Sequence, residues 1–334
     1  MLFKGEIIRM NEEIAVSVLC ITYNQKKYIS DALNSFVNQK TTFRYEILVN
    51  DDCSTDGTKE IIEKYAKNYP NLVKPIFHPE NQYSKGFSPI RDFLIPAARG
   101  KYIAICEGDD FWINDNKLQL QYDYMESHPE CYLCVHDTLL VSEDKNVIGK
   151  VNTSRCGKQI SLKDVLVEGG DFIATSSIFA KLLDNKYIPK YFDILTLDYT
   201  WQIFFASCGN YTYCFEEPMS VYRQGGENAW SSLCQKDFEA YKLREINLLK
   251  KKVRMREAFN KENNGIYKNF VEEADTYDTI KCAICTKEFD VLKQKKYKEY
   301  IRKLGIKEQL RYFLLVHAPF VFDIYKKIKK VGKH

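Results

Sequence analysis

The sequence predicts an α/β protein with a largely parallel sheet and flanking helices, followed by a helical C-terminal region. In the first half, apolar runs of strand length alternate with amphipathic runs of helix length, which is the pattern of β-α-β units. From about residue 234 onward almost every stretch has helical periodicity. The chain has 334 residues, of which 45% are hydrophobic and 28% charged, so it can bury a substantial core.

The predicted elements follow one another regularly. We expect strands near 15–21, 45–50, 72–77 and 101–106, with helices between them near 28–38, 57–68 and 88–98. The next helix, near 115–127, follows Asn114, an acceptable N-cap, and ends before Pro129. Strands at 131–136, 172–180 and 212–223 and a helix near 197–207 complete this part. We therefore divide the chain into a first domain, 1–232, and a helical region, 233–334.

Several features indicate a cytosolic chain. No run approaches the roughly 18 consecutive apolar residues of a membrane span, and the N-terminus lacks the apolar core of a signal peptide. The eleven cysteines show no disulfide framework, so reduced thiols are expected. Zinc-like spacings at Cys131/Cys134 and Cys282/Cys285 lie in apolar periodic stretches, which favours core thiols over metal ligands.

The C-terminal segment 293–334 is strongly basic. It holds 13 Lys and Arg against three acidic residues. It also carries an apolar stripe near helical spacing, which consists of Leu310, Phe313, Leu314, Phe320, Val321, Ile324 and Ile328. We expect this region to dock peripherally on the cytosolic face of an anionic membrane. Alternatively, the stripe packs on the first domain and the lysines are merely solvated.

Polar residues follow three of the four predicted strands. They are TYN at 22–24, DDCSTDGT at 51–58 and EGDD at 107–110. Ligands of an open parallel sheet bind outside the carboxyl ends of its strands, so these residues should meet at one edge. One acidic turn could be only a helix cap. Two acidic clusters at the same edge need a cation or a hydrogen-bonding ligand, because adjacent carboxylates repel.

The second cluster suggests a metal-bound phosphate ester. Carboxylates at Glu107, Asp109 and Asp110 suit Mg²⁺ or Mn²⁺, which bind through one or two carboxylates plus substrate phosphates. The sequence contains no G-x-x-x-x-G-K-[ST] and no G-x-G-x-x-G segment, so neither type of glycine-rich loop supplies the phosphate site. A divalent cation is therefore expected to neutralise a diphosphate.

Three segments together resemble family 2 glycosyltransferases with the GT-A fold: ITYN at 21–24, VNDDCSTDGT at 49–58 and EGDD at 107–110. Their order and spacing make the resemblance, which covers about 14–230, more specific than any one motif. It implies a Rossmann-like mixed sheet, with nucleotide-sugar binding at about 14–137 and the acceptor side at about 138–232. It also implies a metal-dependent, inverting enzyme. Such an enzyme moves a sugar from a nucleotide diphosphate donor, expected to be a UDP-sugar, to an acceptor hydroxyl of a cell-surface polysaccharide or another glycan.

The resemblance also implies roles for the first two segments. Tyr23 would lie against the base, and Asp52 would accept a hydrogen bond from uracil N3, with Asp51 as its neighbour. Thr22 and Asn24 would shape the same pocket. These assignments together predict a nucleotide-binding site at the ends of the first two strands.

In the third segment, the resemblance implies that Asp109 faces the ribose and sugar while Asp110 ligates the metal. Glu107 holds the first acidic position of the motif, where the family has Asp. Lys85 and Arg91 lie where the family has a basic residue near the donor, although either could be only a surface cation.

The acceptor side rests on two later segments. Asp198, in TLDYTW at 196–201, matches the position of the catalytic base, with a plain helix N-cap as the alternative. Arg223 could pair with the leaving diphosphate through two parallel hydrogen bonds. Glycines at 225–226 would let the following loop fold over a ligand, and Trp230 would stack on a sugar or pack in the core.

Two alternatives stay open. A sugar nucleotidylyltransferase would also use a sheet, metal and carboxylates, but it calls for a glycine-rich basic loop after the first strand, and ITYNQ at 21–25 has no glycine. The second alternative is a non-catalytic module that binds a nucleotide-sugar or an anionic surface. Nucleic acid is disfavoured, because the acidic clusters would repel its phosphates. The expected acceptor is a glycan or a lipid-linked molecule, and the oligomeric state is not predicted.

Overall fold

The computed structural model describes residues 13–151, 155–183, 188–195, 197–224 and 237–317. The chain packs as two compact units. The first contains the described residues up to 189 and those of 197–224, and the second contains Lys190–Leu195 and the described residues from 237 onward. The segment Lys190–Leu195 therefore packs with the second unit.

The first unit is built on a mixed sheet of ten strands among the described residues. The strands are β1 (Ile14–Thr22), β2 (Arg44–Asp51), β3 (Val73–Phe77), β4 (Tyr102–Glu107), β5 (Phe111–Trp112), β6 (Cys131–Val141), β7 (Val147–Lys150), β8 (Lys158–Ile160), β9 (Phe179–Lys181) and β10 (Tyr211–Arg223). The main path runs β3-β2-β1-β4-β9-β6-β10-β5, with β7 paired to β6 and β8 to β10. Helices flank this sheet: α1 (Ile29–Val37), α2 (Thr58–Asn68), α3 (Ile95–Ala97), α4 (Lys117–Ser127), α5 (Leu162–Phe172) and α6 (Asp198–Cys208).

The strand register brings the polar strand ends together. β1 pairs in parallel with β2 and with β4, so that Thr22 lies opposite Asp51 and Ile21 lies opposite Glu107. The prediction that these three strands end at one edge of the sheet is confirmed. β10 runs parallel to β6, and antiparallel β9 connects β6 to β4, so Arg223 at the end of β10 reaches the same edge.

Apolar periodicity accounts for the packing of the first helices on the sheet. α1 buries Ile29, Ala32, Leu33 and Phe36, which lie three or four residues apart along one face. These side chains join the core formed by β1, β2 and β4. The expected order of strands and helices is confirmed for this part of the chain.

The prediction of a strand at 172–180 is largely wrong. α5 continues to Phe172, a 3-10 turn spans Thr175–Ser177, and the strand is only Phe179–Lys181. The sequence did not predict α5, because glycines such as Gly169 and Gly170 are unfavourable in the interior of a helix. In the fold α5 comes close to α6 at Gly169, where a Cβ would lie only 3.1 Å from Gln202 Oε1.

Two helix starts also differ from expectation. α4 begins at Lys117 rather than after Asn114, because the Asn114 side chain accepts the Asn116 N–H at 2.7 Å and so holds a turn before the helix. The expected helix near 88–98 is a π-helical turn over Pro89–Leu94 followed by the short α3. Both differences are local and leave the strand order unchanged.

The second unit contains α7 (Phe238–Glu262), α8 (Lys268–Cys285), α9 (Lys295–Arg302) and α10 (Ile306–His317). Its core gathers Ile280, Ala283, Leu292, Tyr312 and Leu315. The buried Arg256 guanidinium on α7 pairs with Asp278 at 2.6 Å and with Asp275 at 2.7 Å on α8, which fixes these two helices against each other. The predicted helical C-terminal region is confirmed as far as residue 317.

Several predictions concern residues outside the described ranges. They include the glycines at 225–226, Trp230, and the tail residues Phe320, Val321, Ile324 and Ile328 with their neighbouring lysines. None of the described helices combines the length and the apolar composition that crossing a bilayer requires.

Candidate active site

A cavity of about 350 Å³ opens at the carboxyl edge of the sheet. Six residues that the sequence singled out line it, namely Thr22, Tyr23, Asp52, Glu107, Asp109 and Arg223. Five further polar or aromatic residues line it as well: Gln25, Asn50, Asn81, Tyr83 and Tyr222. Its position agrees with the general location of ligand sites in open α/β sheets.

One side of the cavity combines aromatic rings with a carboxylate. Tyr23 is 49% exposed, so its ring is available to a flat ligand. Asp52 accepts the Gln82 N–H at 2.7 Å through Oδ1 and the Tyr83 N–H at 3.0 Å through Oδ2. These two bonds hold the loop that carries Tyr83 against the end of β2. Thr22 lines the same cavity, and its buried Oγ1 has no hydrogen-bond partner.

Asp51 and Asn24 do not line the cavity; their contacts lie in the loop after β2. The Asp51 carboxylate accepts both the hydroxyl and the N–H of Ser54, and burial raises the pKa of Asp51. Asn24, with a left-handed φ of 52°, donates its N–H to Ser54 Oγ at 2.8 Å and accepts the Thr55 N–H at 2.8 Å. These two side chains therefore shape the loops beside the cavity.

The opposite side of the cavity is acidic. Glu107 and Asp109 line it directly. Burial, together with the charges of Asp109 and Asp198, raises the pKa of Glu107 to about 8. Burial also raises the pKa of Asp109. Carboxylates that are desolvated beside other carboxylates gain stability when a cation neutralises them.

Asp110 lies behind this acidic wall rather than on the cavity surface. It is fully buried, and its Oδ1 accepts the backbone N–H of Arg223 at 2.9 Å. Its Oδ2 is buried with no hydrogen-bond partner. Burial, with the charges of Asp109 and Glu107, raises the pKa of Asp110 well above its usual range. One oxygen of Asp110 thus holds the acidic turn against β10, and the other has no hydrogen-bond partner within the protein.

Arg223 is buried and heavily used within the protein. Its Nε donates to the carbonyl of Asp109 at 2.9 Å, and its Nη2 pairs with Asp31 Oδ2 at 2.9 Å. The guanidinium also lies 4.7 Å from the ring centroid of Tyr28. Arg223 therefore positions the acidic turn against α1, in addition to lining the cavity.

Lys85 and Arg91 do not line the cavity. Lys85 forms an ion pair with Glu80, and Arg91 pairs with Asp92 at 2.7 Å. Each cation therefore pairs with an acidic residue in its own segment of chain.

Asp198 lies at the first position of α6, and the N-cap is Leu197. Asp198 therefore lies in the first turn of α6, directly after the N-cap residue. Its Oδ1 accepts the Tyr199 N–H at 2.8 Å. Asp198 does not line the cavity. Its negative charge nevertheless contributes to the raised pKa values of Glu107 and Tyr222, which do line it.

Sequence reasoning missed Tyr222 and Gln25. Burial and the neighbouring carboxylates raise the pKa of Tyr222 to about 12, so it faces the acidic wall as a neutral hydrogen-bond donor. Tyr222 directly precedes Arg223 in β10, and Gln25 directly follows the TYN segment. Their proximity to predicted site residues was the available signal. Which side chains of β10 turn toward the cavity was not legible in the sequence.

The residues present fit a divalent cation by their chemistry. Glu107 and Asp109 offer hard oxygen donors at the cavity, and the unpartnered Oδ2 of Asp110 lies behind them. Within the described part of the chain, no three His, Cys, Asp or Glu side chains form a ready-made metal cluster. Mg²⁺ in particular is usually held by one or two carboxylates together with substrate phosphates.

A larger residue at Gly108, within the acidic turn, would require neighbouring side chains to shift. A Cβ at this position would lie 2.5 Å from Gln25 Oε1 and 2.9 Å from Thr22 Oγ1. We expect Gly108→Ala to destabilise the protein by about 1–3 kcal/mol through overpacking. Thermal unfolding measures this effect. The control Gly149→Ala, whose Cβ would meet nothing closer than 3.5 Å, should stay near wild type; equal stability of the two variants would contradict the expected clash.

Comparison with known proteins agrees with this site. Residues 17–179 match the model of the family described as glycosyl transferase family 2. The chain is 34% identical over 221 residues to an uncharacterized protein of Mycobacterium tuberculosis, a match that covers 65% of this chain and 61% of that protein. It is also 34% identical over 180 residues to the abequosyltransferase RfbV of Salmonella typhimurium, covering 48% of this chain and 51% of RfbV. The chain thus spans less than two thirds of the length of these relatives.

Solved structures show the same architecture. The structure of residues 1–349 of Staphylococcus aureus TarS in complex with UDP has a TM-score of 0.51 and 20% identity, and the match covers 90% of this chain and 79% of TarS 1–349. The complex of the same protein with UDP-GlcNAc has a TM-score of 0.52 and 18% identity, with the same coverage. This likeness shows the fold, which is of the GT-A type, as the sequence predicted.

Proposed function

Because residues 17–179 match the model of glycosyl transferase family 2, we propose that this chain moves a sugar from a UDP-sugar to an acceptor hydroxyl with inversion at the anomeric carbon. The observation that carries this proposal is the two-sided cavity. Tyr23 and Asp52 line the side suited to a base, and Glu107 and Asp109 line the side suited to a metal-bound diphosphate.

Uracil suits the first side. The Tyr23 ring offers a stacking surface, and base–aromatic stacking is worth about 1–3 kcal/mol per base. Each oxygen of Asp52 already accepts one backbone N–H. A carboxylate oxygen has two acceptor sites, so Asp52 can accept a further bond from the N3–H of uracil. The backbone bonds fix the direction of the carboxylate before the donor arrives.

The acidic side suits the diphosphate and the sugar. We assign the first metal contact to Asp109 rather than Asp110, because Asp109 lines the cavity and Asp110 does not. Glu107 and the free Oδ2 of Asp110 complete the set of oxygen donors. When bound, Mn²⁺ or Mg²⁺ would neutralise the charge that develops on the departing nucleoside diphosphate. Arg223 keeps the acidic turn in place through its bond to the Asp109 carbonyl.

Asp198 is the proposed general base. In the reaction, the acceptor oxygen attacks C1 of the sugar, the bond from C1 to the diphosphate oxygen breaks, and the carboxylate takes the acceptor proton. General base catalysis of this kind typically contributes about 10²–10⁴ in rate. A single displacement of this kind inverts the anomeric centre.

We further propose that the acceptor is a glycan or lipid-linked glycan of a cell-surface polysaccharide. The names of relatives support this class. They include RfbV, described as an abequosyltransferase, and the Bacillus subtilis protein TuaG, described as a putative teichuronic acid biosynthesis glycosyltransferase, which is 34% identical over 110 residues.

Incubation with a panel of nucleotide-sugars, with and without Mn²⁺, tests the proposed function. We expect release of a nucleoside diphosphate from one UDP-sugar, dependent on Mn²⁺ and faster with a suitable glycan acceptor. Release of pyrophosphate from a sugar phosphate and a nucleoside triphosphate would instead indicate a nucleotidylyltransferase. Tight binding of a donor with no turnover on any acceptor tried would favour a binding module.

A further inference from the structure

α10 carries apolar residues on two opposite faces. Tyr312 and Leu315 turn inward and are only 8% and 4% exposed in the core of the second unit. Ile306, Leu310 and Phe313 are 85%, 58% and 58% exposed. These three residues are four and three positions apart, so they lie on one side of the helix. We call them the outer stripe.

The outer stripe is more than scattered exposure. Single apolar residues at a protein surface are common and need no explanation. Three large side chains in helical register form a continuous patch, and such patches mark interaction sites. The opposite face of α10 packs in the core of the second unit through Tyr312 and Leu315.

Exposed basic residues precede the outer stripe along the chain. The preceding helix, α9, exposes Lys295, Lys296, Lys298 and Arg302, and Lys303 follows it at the surface. From 295 to 311 the chain has seven Lys and Arg against two acidic residues, Glu299 and Glu308. Lys295 and Arg311 lie near these acids, at 3.9 Å from Glu299 and 3.2 Å from Glu308, so the segment keeps a surplus of positive charge.

We propose that the outer stripe, together with the basic residues of α9, docks this protein on an anionic phospholipid bilayer. An amphipathic helix with large apolar side chains and flanking lysines binds in the plane of the headgroups, through buried apolar area and attraction to anionic lipids. An exposed helix face is convex, and a bilayer accepts it without a matching groove. Nucleic acid would use the lysines but not the stripe. This docking is independent of the proposed transfer chemistry.

Co-sedimentation of the full chain with vesicles tests the proposal. One preparation contains phosphatidylcholine with phosphatidylglycerol, and the other contains phosphatidylcholine alone. The variant Leu310→Gln/Phe313→Gln removes the stripe without changing charge. Its matched control is Leu243→Gln/Ile266→Gln, since these apolar residues of the same unit are 62% and 71% exposed.

A second pair of variants tests the charge contribution. Lys298→Gln/Lys303→Gln removes two exposed positive charges from the segment that precedes the stripe, and Lys250→Gln/Lys251→Gln removes two exposed charges from α7. Each removed lysine near an anionic surface should weaken partitioning about fivefold, whereas lysines far from the lipid should matter little.

We expect wild type to sediment with the anionic vesicles at least about tenfold more strongly than with the neutral ones, and the stripe variant to lose at least about tenfold. The control pairs should stay within about twofold of wild type. Wild type that remains in the supernatant with anionic vesicles would overturn the proposal, as would a stripe variant that binds like wild type.

Two other occupants of the outer stripe give different results. If the stripe mediates self-association, Leu310→Gln/Phe313→Gln would change the oligomeric state without vesicles. If it packs against another part of the chain, the same variant would lower the thermal unfolding midpoint by several degrees, whereas the Leu243→Gln/Ile266→Gln control would not. Either result without loss of vesicle binding would overturn docking on lipid.

Discussion

Asp109→Asn is expected to lower the rate of sugar transfer at least about 10³-fold, since neutralising the departing diphosphate is worth several kcal/mol. Asp109 is a cavity-lining member of the acidic wall, and the amide keeps its shape but loses its charge. Because burial raises the pKa of Asp109, the ionised carboxylate is costly in the folded protein, and the variant should unfold at the same temperature or higher. Initial rates across a Mn²⁺ titration, together with thermal unfolding, provide the measurement.

The matched control for this variant is Asp115→Asn. Asp115 pairs with Lys40 at the surface, at 3.1 Å, and does not line the cavity. Its loss should leave transfer within about twofold, because exposed ion pairs contribute little. Full transfer by Asp109→Asn, or undiminished transfer by wild type in the presence of a chelator, would contradict the metal-dependent mechanism.

Asp198→Asn is expected to lower kcat at least about 10²-fold, with little change in the affinity for the donor. The amide occupies the same space at the first position of α6 but cannot accept the acceptor proton. Loss of a negative charge in the first turn of a helix costs only about 0.3–1 kcal/mol, so the fold should persist. Steady-state kinetics with varied acceptor, combined with donor binding measured separately, distinguishes the two effects.

Glu60→Gln controls for the helix-terminal charge. Glu60 is an exposed acidic residue in the first turn of α2 and has no place in the cavity. It should lose a similar small amount of stability and no activity. If Asp198→Asn retained a normal kcat, the role of general base would have to pass to another residue.

The sequence alone determined the order of elements and the place of the candidate site. Alternating strand and helix periods predicted β1, β2, β3 and β4 with the helices between them. This works because the apolar residues on the buried face of a strand or helix recur along the sequence with the period of that element. Parallel strands end at the same edge of a sheet, so polar residues after β1, β2 and β4 were expected to meet. The strand register confirms that expectation.

Only the tertiary structure decided which atoms face the ligand. Asp51 and Asp52 are neighbours of the same type, yet Asp52 lines the cavity while Asp51 binds Ser54. Asp109 and Asp110 divide in the same way, since the Arg223 N–H from distant β10 holds Asp110 behind the surface. Adjacent side chains point in different directions, and the local sequence pattern does not show which of them will bind a partner more than a hundred residues away.

The same reason explains the elements that were missed or left undecided. The glycines of α5 oppose a helix by their own propensity, and it is the close approach of Gln202 on α6 that favours a residue without a side chain at Gly169. In α10, the apolar spacing predicted a stripe but not that Tyr312 and Leu315 turn inward while Leu310 and Phe313 turn outward. Local propensity and period are properties of a segment, whereas burial is a property of what the rest of the chain places beside it.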